Sequence, residues 1–387
     1  MHLRKFILLF FTGSVLIAGC KKDKDSSSKP EECAQGRSVA DGDIIDGQYI
    51  VAYDPGVGAR GLSAKSLGDL GADVLQRNAI DEQSLQKTFA GEPGGFIATL
   101  TEEQARRLRL DASIQSVESD RVVALATCFT VAEPRLLTWN IKRVGYGNGI
   151  GKTAWIIDTG IDFDHPDLTV DVPRSKSFIS GETSADDGNG HGTHVAGIIG
   201  GKNNNFGVLG VASGATLVSL RVLNDEGEGT LSGIIQALSY INANAKAGDV
   251  VNMSLGEEVN SPTLNQQVQY TASKGILISV AAGNDGEAAN KYSPGNANGQ
   301  NIYTVSAVDS LDHFASFSNF GNDVVDYAAP GVRILSTFSN GRYAYLSGTS
   351  MAAPHVAGLL LLRGRNLTVS GTAVNDPDGT PDPIAHF

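Results

Sequence analysis

Two apolar runs in the middle of the chain end in a polar residue. Residues 153–157 lead to Asp158, and residues 275–283 lead to Asn284. Near-continuous apolar runs of this length are typical of strands covered on both faces, as in a parallel sheet. The runs alternate with helical segments, which predicts an α/β domain with a doubly wound parallel sheet and flanking helices. In such sheets, sites form at the carboxyl ends of the strands.

A different pattern precedes this domain, in residues 46–126. The sequence predicts a helix at 64–78, a second helix that begins with a capping box at 101–104, and strands at 48–53, 95–100, 114–118 and 121–125. We therefore expect a small α+β domain ahead of the larger one, which we place at residues 127–370. Residues 371–387 are polar and contain several prolines, so we expect them to close the fold as a loop or short strand.

The N-terminus has the pattern of an export signal. Arg4 and Lys5 are followed by a mostly apolar run at 6–18, which is shorter than the roughly 20 residues that span a bilayer. Residues 1–19 are predicted to be a signal peptide whose end resembles the lipobox of bacterial lipoproteins, with Cys20 lipidated. The alternative is a plain secretory signal with an incidental cysteine. Residues 20–45 include a charged, serine-rich stretch and are predicted to be a disordered tether.

Ser350 is a candidate nucleophile. It follows Gly348, which permits a sharp bend, and precedes small residues that favour a closely packed helix. Pro354 is tolerated in the first turn of a helix, so we expect a helix to start near Ser350. There the hydroxyl and the backbone N–H would meet the positive end of the helix dipole. The alternative is an ordinary capped helix, because a nucleophilic serine also needs a base and an orienting acid.

Asp158 and His191 are candidates for that acid and base. Asp158 ends a predicted strand, and His191 stands between two glycines where a loop enters a helix, which leaves room for a substrate. A turn or cap role is the alternative for Asp158. His191 and His194 could also hold a metal ion, but their spacing is not that of H-E-x-x-H and no cysteine is nearby. We therefore interpret His194 as a packing residue.

Three stretches resemble the signatures of the subtilisin family of serine proteases. They are I-I-D-T-G-I-D at 156–162, H-G-T-H-V-A-G at 191–197 and G-T-S-M-A-A-P-H-V-A-G at 348–358. The resemblance covers about residues 133–365, has the same Asp, His, Ser order and is closest to the proteinase K branch. It implies that Ser350 attacks the scissile carbonyl, His191 transfers the proton and Asp158 orients the imidazole. The stretch A-A-G-N at 281–284 implies that Asn284 donates a hydrogen bond to the oxyanion.

The same resemblance implies that the substrate binds as an extended strand between two backbone edges, 227–229 and 254–256. The predicted substrate-binding residues are Gly227, Glu228, Gly229, Ser254, Leu255, Gly256, Ala281, Ala282, Gly283 and Tyr292. The wall of the main specificity pocket is expected from residues 254–256, 281–283 and 292–295. No acidic residue lies in these stretches, so we expect broad specificity with a preference for apolar or aromatic side chains. Glu228 either favours a basic residue in a neighbouring subsite or is a solvated surface glutamate.

Residues 46–126 resemble the propeptide of the family, an intramolecular chaperone and inhibitor of β-α-β-β-α-β type. The resemblance implies that its last strand lies in the active site until the enzyme cuts its own chain, between about Leu125 and Val131. Cys33 and Cys128 bracket this domain. In an oxidising compartment they either form a disulfide or stay as two free thiols.

The resemblance also implies a structural calcium ion with Asp326 as a ligand, while no cofactor is expected for catalysis. The net charge of −12 argues against nucleic-acid binding. We therefore predict a secreted, monomeric serine endopeptidase made as a self-processing zymogen. Its expected partners are protein or peptide substrates, its own propeptide and, through the lipid, the membrane. The alternative is a catalytically silent surface binding protein that its propeptide keeps shut.

Overall fold

The computed structural model describes residues 32–33, 41–57, 62–125, 128–131 and 136–387. The predicted signal peptide, Cys20 and most of the predicted tether lie outside these ranges. Within them, no helix combines the length and the apolar character that a membrane crossing requires.

The N-terminal part of the chain forms an antiparallel sheet with two helices packed on one face. The elements of this unit are β2 (Ile44–Tyr53), α1 (Ala64–Arg77), β3 (Leu85–Phe89), β4 (Gly95–Thr99), α2 (Glu102–Leu108) and β5 (Ile114–Ala124). The short strand β1 (Glu32–Cys33) precedes them and belongs to a separate sheet. From β2 to β5 the order is the expected β-α-β-β-α-β. Tyr49 and Val51 of β2 face α1 and α2, whereas Ile50 between them belongs to the core of the following domain.

One local expectation in this part was wrong, and one strand was missed. The sequence predicts two strands at 114–118 and 121–125, but the structure has the single strand β5 through both, which pairs with β2 from Ile114 to Arg121. The sequence also failed to locate β3, in which only Phe89 is buried. A strand at the edge of the sheet with one buried side chain lacks the alternation of apolar and polar residues that marks a strand.

The larger part of the chain contains the remaining elements. They are β6 (Cys128–Val131), α3 (Trp139–Val144), β7 (Gly147–Asn148), β8 (Thr153–Asp158), β9 (Lys176–Ser177), α4 (His191–Gly200), β10 (Ala212–Ser213), β11 (Thr216–Arg221), β12 (Glu228–Thr230), α5 (Leu231–Asn244), β13 (Val250–Met253), α6 (Pro262–Ser273), β14 (Leu277–Ala281), β15 (Ile302–Val308), β16 (Val325–Pro330), β17 (Ile334–Phe338), β18 (Arg342–Leu346), α7 (Thr349–Arg363), β19 (Thr368–Thr372) and β20 (Pro383–His386).

A nine-stranded sheet in the order β19-β20-β16-β15-β14-β13-β8-β11-β9 forms the centre of this domain. Its strands are parallel except for the antiparallel pair β19 and β20, which extends one edge. Ala154 and Ile156 of β8 pack on the face with α4 and α7, and Trp155 and Ile157 pack on the face with α5 and α6. This is the doubly wound α/β fold that the sequence predicts.

Helix α7 begins where the sequence predicts but contains an unexpected proline. Ser350 is its second residue, whereas Pro354 lies inside the helix and not in its first turn. A proline at this position has no N–H for the carbonyl of Ser350, four residues earlier. The hydroxyl of Ser254 replaces that donor, at 2.7 Å from the Ser350 carbonyl oxygen. The contact with Ser254 therefore permits a proline inside α7, which local sequence rules disfavour.

Candidate active site

Asp158 and His191 meet at the carboxyl edge of the parallel sheet. Asp158 is the last residue of β8 and His191 the first of α4. His191 Nδ1 lies 2.7 Å from Asp158 Oδ1, which also accepts the Thr159 N–H at 2.7 Å. Both side chains are buried. Because the carboxylate accepts a hydrogen bond from Nδ1–H, a neutral His191 presents its lone pair at Nε2.

The loop before α4 is fixed by Asp187, whose role sequence reasoning missed. Its carboxylate accepts the N–H groups of Gly190 and Thr193, each at 2.9 Å, and the Thr193 hydroxyl at 2.6 Å. A carboxylate at this position satisfies backbone donors at the start of α4 and complements the positive end of the helix. Gly192 is also required, because an added Cβ would overlap the carbonyl oxygen of Gly160 and lie 3.1 Å from the Asp158 Cβ.

Ser350 and Ser254 exchange hydrogen bonds. Ser350 Oγ donates to the Ser254 carbonyl oxygen at 3.0 Å, and Ser254 Oγ donates in return to the Ser350 carbonyl oxygen. Helices α4 and α7 pack against each other, with His191 and Ser350 at their N-terminal ends. Among the described residues, His191 Nε2 is buried and has no hydrogen-bond partner. The Ser350 hydroxyl has one proton, so it must turn away from the Ser254 carbonyl before it can donate to His191.

Asn284 follows β14 and faces the start of α7. Its side-chain oxygen accepts the N–H and the hydroxyl of Thr349 at 2.8 and 3.0 Å. These two donors fix the orientation of the amide, because only the oxygen can accept from a backbone N–H. The NH₂ group is thereby turned away from Thr349 and is available as a donor.

A cavity of about 170 Å³ lies beside Ser350 and Asn284. Its lining residues are Asp41, Ala124, Leu125, Leu255, Gly256, Ala281, Ala282, Gly283, Asn284, Asp285, Tyr292, Thr349 and Ser350. Of the residues predicted for the pocket wall, Leu255, Gly256, residues 281–283 and Tyr292 line this cavity. Ser254 and residues 293–295 are not among its lining residues, and Ser254 bonds to the backbone of Ser350. Asp285 is an addition that the sequence did not indicate. Burial raises the pKa of the Tyr292 hydroxyl, and the nearby Asp285 carboxylate raises it further.

One of the two predicted substrate edges is occupied by the N-terminal domain. Strand β5 pairs antiparallel with β12, so that Ala124 lies opposite Glu228 and Val123 opposite Gly229. The Leu125 N–H then donates to the Gly227 carbonyl oxygen at 2.9 Å. The last described residues of the domain are thus held as an extended peptide that runs to the cavity beside Ser350.

The opposite edge of β5 bonds to residues 41–43 of the chain itself. Asp41 Oδ1 accepts the Ala124 N–H at 2.7 Å. The Gly42 N–H donates to the Val122 carbonyl oxygen, and the Val122 N–H donates to that of Asp43, both at 3.0 Å. We expected Ser254, Leu255 and Gly256 to provide this edge. Among the described residues, Leu255 and Gly256 line the cavity, and the segment before β2 bonds to this edge of the strand.

Two further carboxylates of β5 bind helix N-termini of the larger domain. Glu118 accepts the Ser261 hydroxyl at 2.9 Å and the Thr263 N–H at 3.3 Å, at the start of α6. Asp120 accepts the Ser232 N–H at 3.1 Å, at the start of α5. Negative charge is favourable at both positions because of the helix dipole.

Glu257 is a buried carboxyl at the same interface and was not singled out from the sequence. Its side-chain oxygens have no hydrogen-bond partner among the described residues, and only 1% of the residue is exposed. Burial, followed by the proximity of Asp41, raises its pKa to about 8. The carboxyl is therefore held largely protonated near neutral pH while the N-terminal domain is bound.

Comparisons with known protein families agree with this geometry. A family model described as the subtilase family matches residues 151–370. A second one, described as peptidase inhibitor I9, matches residues 48–126. The chain belongs to the subtilase family. It is a serine-type endopeptidase, and its N-terminal part is an inhibitor domain of the kind that keeps such enzymes as zymogens.

Individual relatives and one solved structure support this assignment. The alkaline serine protease ver112 of Corniculantispora psalliotae is 36% identical over 292 residues, which cover 71% of this chain and 72% of that protein. The M-protease of Shouchella clausii is 41% identical over 270 residues, covering 68% and 67%. The crystal structure of a cold adapted subtilisin-like serine proteinase aligns with a TM-score of 0.57 at 35% identity, covering 65% of this subtilase and 98% of that chain.

The remaining predicted residues of the subtilase lie away from Ser350. His194 is fully buried, its Nε2 lies 2.9 Å from the Ile334 carbonyl oxygen, and burial lowers its pKa to about 3, which suits a packing role. Asp326 accepts the Thr304 N–H at 2.8 Å, and burial raises its pKa to about 6. The described parts of the chain contain no group of three or more His, Cys, Asp or Glu residues that could hold a metal ion. The calcium ion at Asp326 stays a prediction.

Proposed function

We propose that this subtilase cleaves peptide bonds with Ser350 as nucleophile, His191 as proton carrier and Asp158 as the group that orients His191. The 2.7 Å contact between Asp158 and His191 Nδ1 carries the proposal. It holds a buried imidazole with Nε2 as the acceptor, and among the described residues nothing else bonds to that nitrogen. A buried carboxylate in this position also stabilises the imidazolium that forms during the reaction.

The chemistry follows from these positions. Ser350 Oγ attacks the substrate carbonyl carbon, its proton moves to His191 Nε2, and the carbonyl oxygen becomes an oxyanion. The Asn284 NH₂ group and the Ser350 N–H at the start of α7 donate to that oxygen. His191 then protonates the departing amine, the C–N bond breaks, and an acyl-enzyme ester remains. A water that gives a proton to His191 attacks the ester, which releases the acid and restores the Ser350 hydroxyl.

We infer that the first substrate is the enzyme's own chain. Strand β5 delivers Ala124 and Leu125 to the cavity beside Ser350, and β6 has already diverged to pair with β18. A cut between Leu125 and Cys128, inside the predicted interval, fits both observations. The inhibitor domain then remains bound through β12, α5 and α6 until it is displaced.

The cavity supports a preference for apolar or aromatic side chains, because Leu255, Ala281 and Ala282 form much of its wall. Asp285 also lines the cavity and lies close enough to Tyr292 to raise its pKa. Glu228 pairs through its backbone with the bound strand, so its side chain is not needed for that contact.

The location and accessory features of the enzyme form a separate set of proposals. We propose export of the chain, lipidation of Cys20 and membrane attachment on the basis of residues 1–20. Membership of the proteinase K branch, a monomeric state and a structural calcium ion are proposed from the motif resemblance alone. Replacement of Cys20 by serine tests the lipid anchor. If Cys20 is lipidated, the Cys20→Ser protein should no longer partition into membranes.

The proposed activity is tested by comparison of the full-length protein with Ser350→Ala after expression under identical conditions. The parent is expected to appear as a catalytic chain shortened by self-cleavage and to hydrolyse casein. The Ser350→Ala protein is expected to stay full length and inactive. If the parent also stays full length and does not hydrolyse casein, the protein is not an active protease, and a binding role under a closed inhibitor domain becomes the better account.

A further inference from the structure

The chain before the inhibitor domain runs antiparallel to the stretch that contains the proposed cut, and it contacts that stretch on both sides. On the N-terminal side, residues 41–43 bond to Val122 and Ala124. On the C-terminal side, β1 pairs antiparallel with β6, with Glu32 opposite Phe129 and Cys33 opposite Cys128. In both contacts the N-terminal chain runs antiparallel to its partner, so one N-terminal segment contacts the chain on both sides of the cut.

The register between β1 and β6 brings two of the three cysteines into direct opposition. Residues directly opposite each other in an antiparallel pair have Cα atoms about 4.5 to 5.5 Å apart. Disulfides join residues whose Cα atoms are about 4.4 to 6.8 Å apart. The backbone alone therefore places Cys33 and Cys128 within bonding range, which spacing along the sequence could not establish.

We propose that Cys33 and Cys128 form a disulfide that keeps the N-terminal segment covalently attached to the catalytic domain after self-cleavage. Strand β6 is held by the catalytic domain, because Thr130 and Val131 pair with Tyr345 and Ala344 of β18. A cut between Leu125 and Cys128 leaves Cys128 on the catalytic chain. The bridge then retains the segment around Cys33, even though the peptide backbone between them is broken. The retention depends on the proposed self-cleavage, whereas the bridge itself does not.

The bond requires an oxidant, which we take to be the disulfide of a thiol–disulfide oxidoreductase outside the cytoplasm. The thiolate of one cysteine attacks that disulfide, which forms a mixed disulfide and releases one thiol of the oxidoreductase. The thiolate of the second cysteine displaces the oxidoreductase. Cys33 and Cys128 lose two electrons and two protons in total, and the oxidoreductase leaves as a dithiol.

The bridge is tested first in full-length Ser350→Ala, which does not depend on cleavage. The exported protein is alkylated without reduction, digested with trypsin and analysed by mass spectrometry. We expect the tryptic peptides 25–37 and 122–135, which contain Cys33 and Cys128, to be found joined and to separate on reduction. Recovery of both peptides with alkylated cysteines, or of either one joined to the Cys20 peptide, would overturn the proposal.

Retention is tested in the active enzyme on gels run with and without reductant. A label on the N-terminal segment is expected to migrate with the catalytic chain without reductant and to separate from it with reductant. Cys33→Ser and Cys128→Ser should each release the label without reductant while self-cleavage continues. Release of the label from the cleaved parent without reductant contradicts retention. An uncleaved parent with joined peptides contradicts the proposed self-cleavage instead and leaves the bridge intact.

Discussion

Ser254 and Ser350 are joined by two hydrogen bonds, each hydroxyl donating to the carbonyl oxygen of the other residue, at 2.7 and 3.0 Å. The bond from Ser254 satisfies the carbonyl that Pro354 leaves without its helical donor. Both residues are buried. The turn that carries the nucleophile is thus held in place by a residue almost a hundred positions away along the chain.

Replacement of Ser254 by alanine is therefore expected to destabilise the start of α7. A buried carbonyl without a partner costs about 1 to 3 kcal/mol. Urea unfolding of Ser350→Ala with and without Ser254→Ala should show a loss of this size in the free energy of unfolding. In the active enzyme, Ser254→Ala should also slow self-cleavage.

Ser279→Ala is the matched control. The Ser279 hydroxyl is buried and donates at 2.8 Å to the Ala353 carbonyl oxygen of the same helix. That carbonyl can still receive the N–H of Ala357, so the loss in free energy of unfolding should be smaller. If both variants lose the same free energy of unfolding, the missing N–H of Pro354 does not make the Ser254 hydrogen bond more important than the Ser279 one.

Asp158→Asn is expected to lower kcat by roughly 10⁴-fold with little change in fold. An amide at this position can donate to Nδ1, which favours the tautomer of His191 with its proton on Nε2. That nitrogen then cannot accept the Ser350 proton. The Asp158→Asn protein is first treated with parent protease, which removes the inhibitor domain that the variant cannot remove itself. Its hydrolysis of a peptide substrate then gives kcat and KM separately. A change confined to KM would mean that Asp158 does not act through His191.

Asn284→Ala is expected to lower kcat by about 10² to 10³-fold with little effect on KM, because an oxyanion donor acts mainly in the transition state. Asn284→Asp retains the oxygen that accepts from Thr349 but lacks the NH₂ group. Both variants should therefore be slow. If Asn284→Asp has normal kcat, the role of Asn284 is to position Thr349 and not to donate to the oxyanion.

Because of Glu257, the protein with its inhibitor domain bound is expected to have a lower free energy of unfolding as the pH rises. Burial, followed by the proximity of Asp41, raises the pKa of Glu257 to about 8, so the folded state binds the proton more tightly than the unfolded state. Below about pH 4.5 the carboxyl is protonated in both the folded and the unfolded state, and this stabilising contribution is fully present. The free energy of unfolding then falls as the pH rises from about 4.5 to about 8. Unfolding of Ser350→Ala at several pH values should show this decline.

Glu257→Gln should flatten the decline, because glutamine does not titrate. The difference from the parent should reach about 1 to 3 kcal/mol by pH 8, since one pKa unit corresponds to about 1.4 kcal/mol and relaxation of the protein around the newly charged carboxylate reduces the effect. Glu258→Gln, at the exposed neighbouring position, should leave the decline unchanged. A pH profile that Glu257→Gln does not alter would remove Glu257 from the account.

Much of the catalytic fold could be predicted because its signals are local. Apolar runs end at Asp158 and Asn284, and the glycine-rich turn precedes His191, so the strand ends and helix starts could be located from the sequence. Parallel strands place their carboxyl ends on one edge of the sheet, which brings these residues together.

The features that the sequence did not predict depend on contacts between distant segments. Asp41 bonds to Ala124, and Glu257 is buried close to Asp41 and Arg121 of the N-terminal part of the chain. Pro354 was expected in the first turn of α7, because the compensating donor on Ser254 cannot be inferred from the helix alone. Strand β3 was missed for a related reason, since its pairing with β4 and not its composition defines it.

The role of Ser350 is tested by covalent labelling of the matured enzyme with a fluorophosphonate, followed by mapping of the adduct by mass spectrometry. We expect one adduct, on Ser350 Oγ, that forms rapidly in the parent and is lost in a His191→Ala protein whose inhibitor domain has been cleaved off by added parent protease. An adduct on another residue, or labelling of Ser350 that is equally fast in His191→Ala, would contradict the assignment of Ser350 as a nucleophile activated by His191.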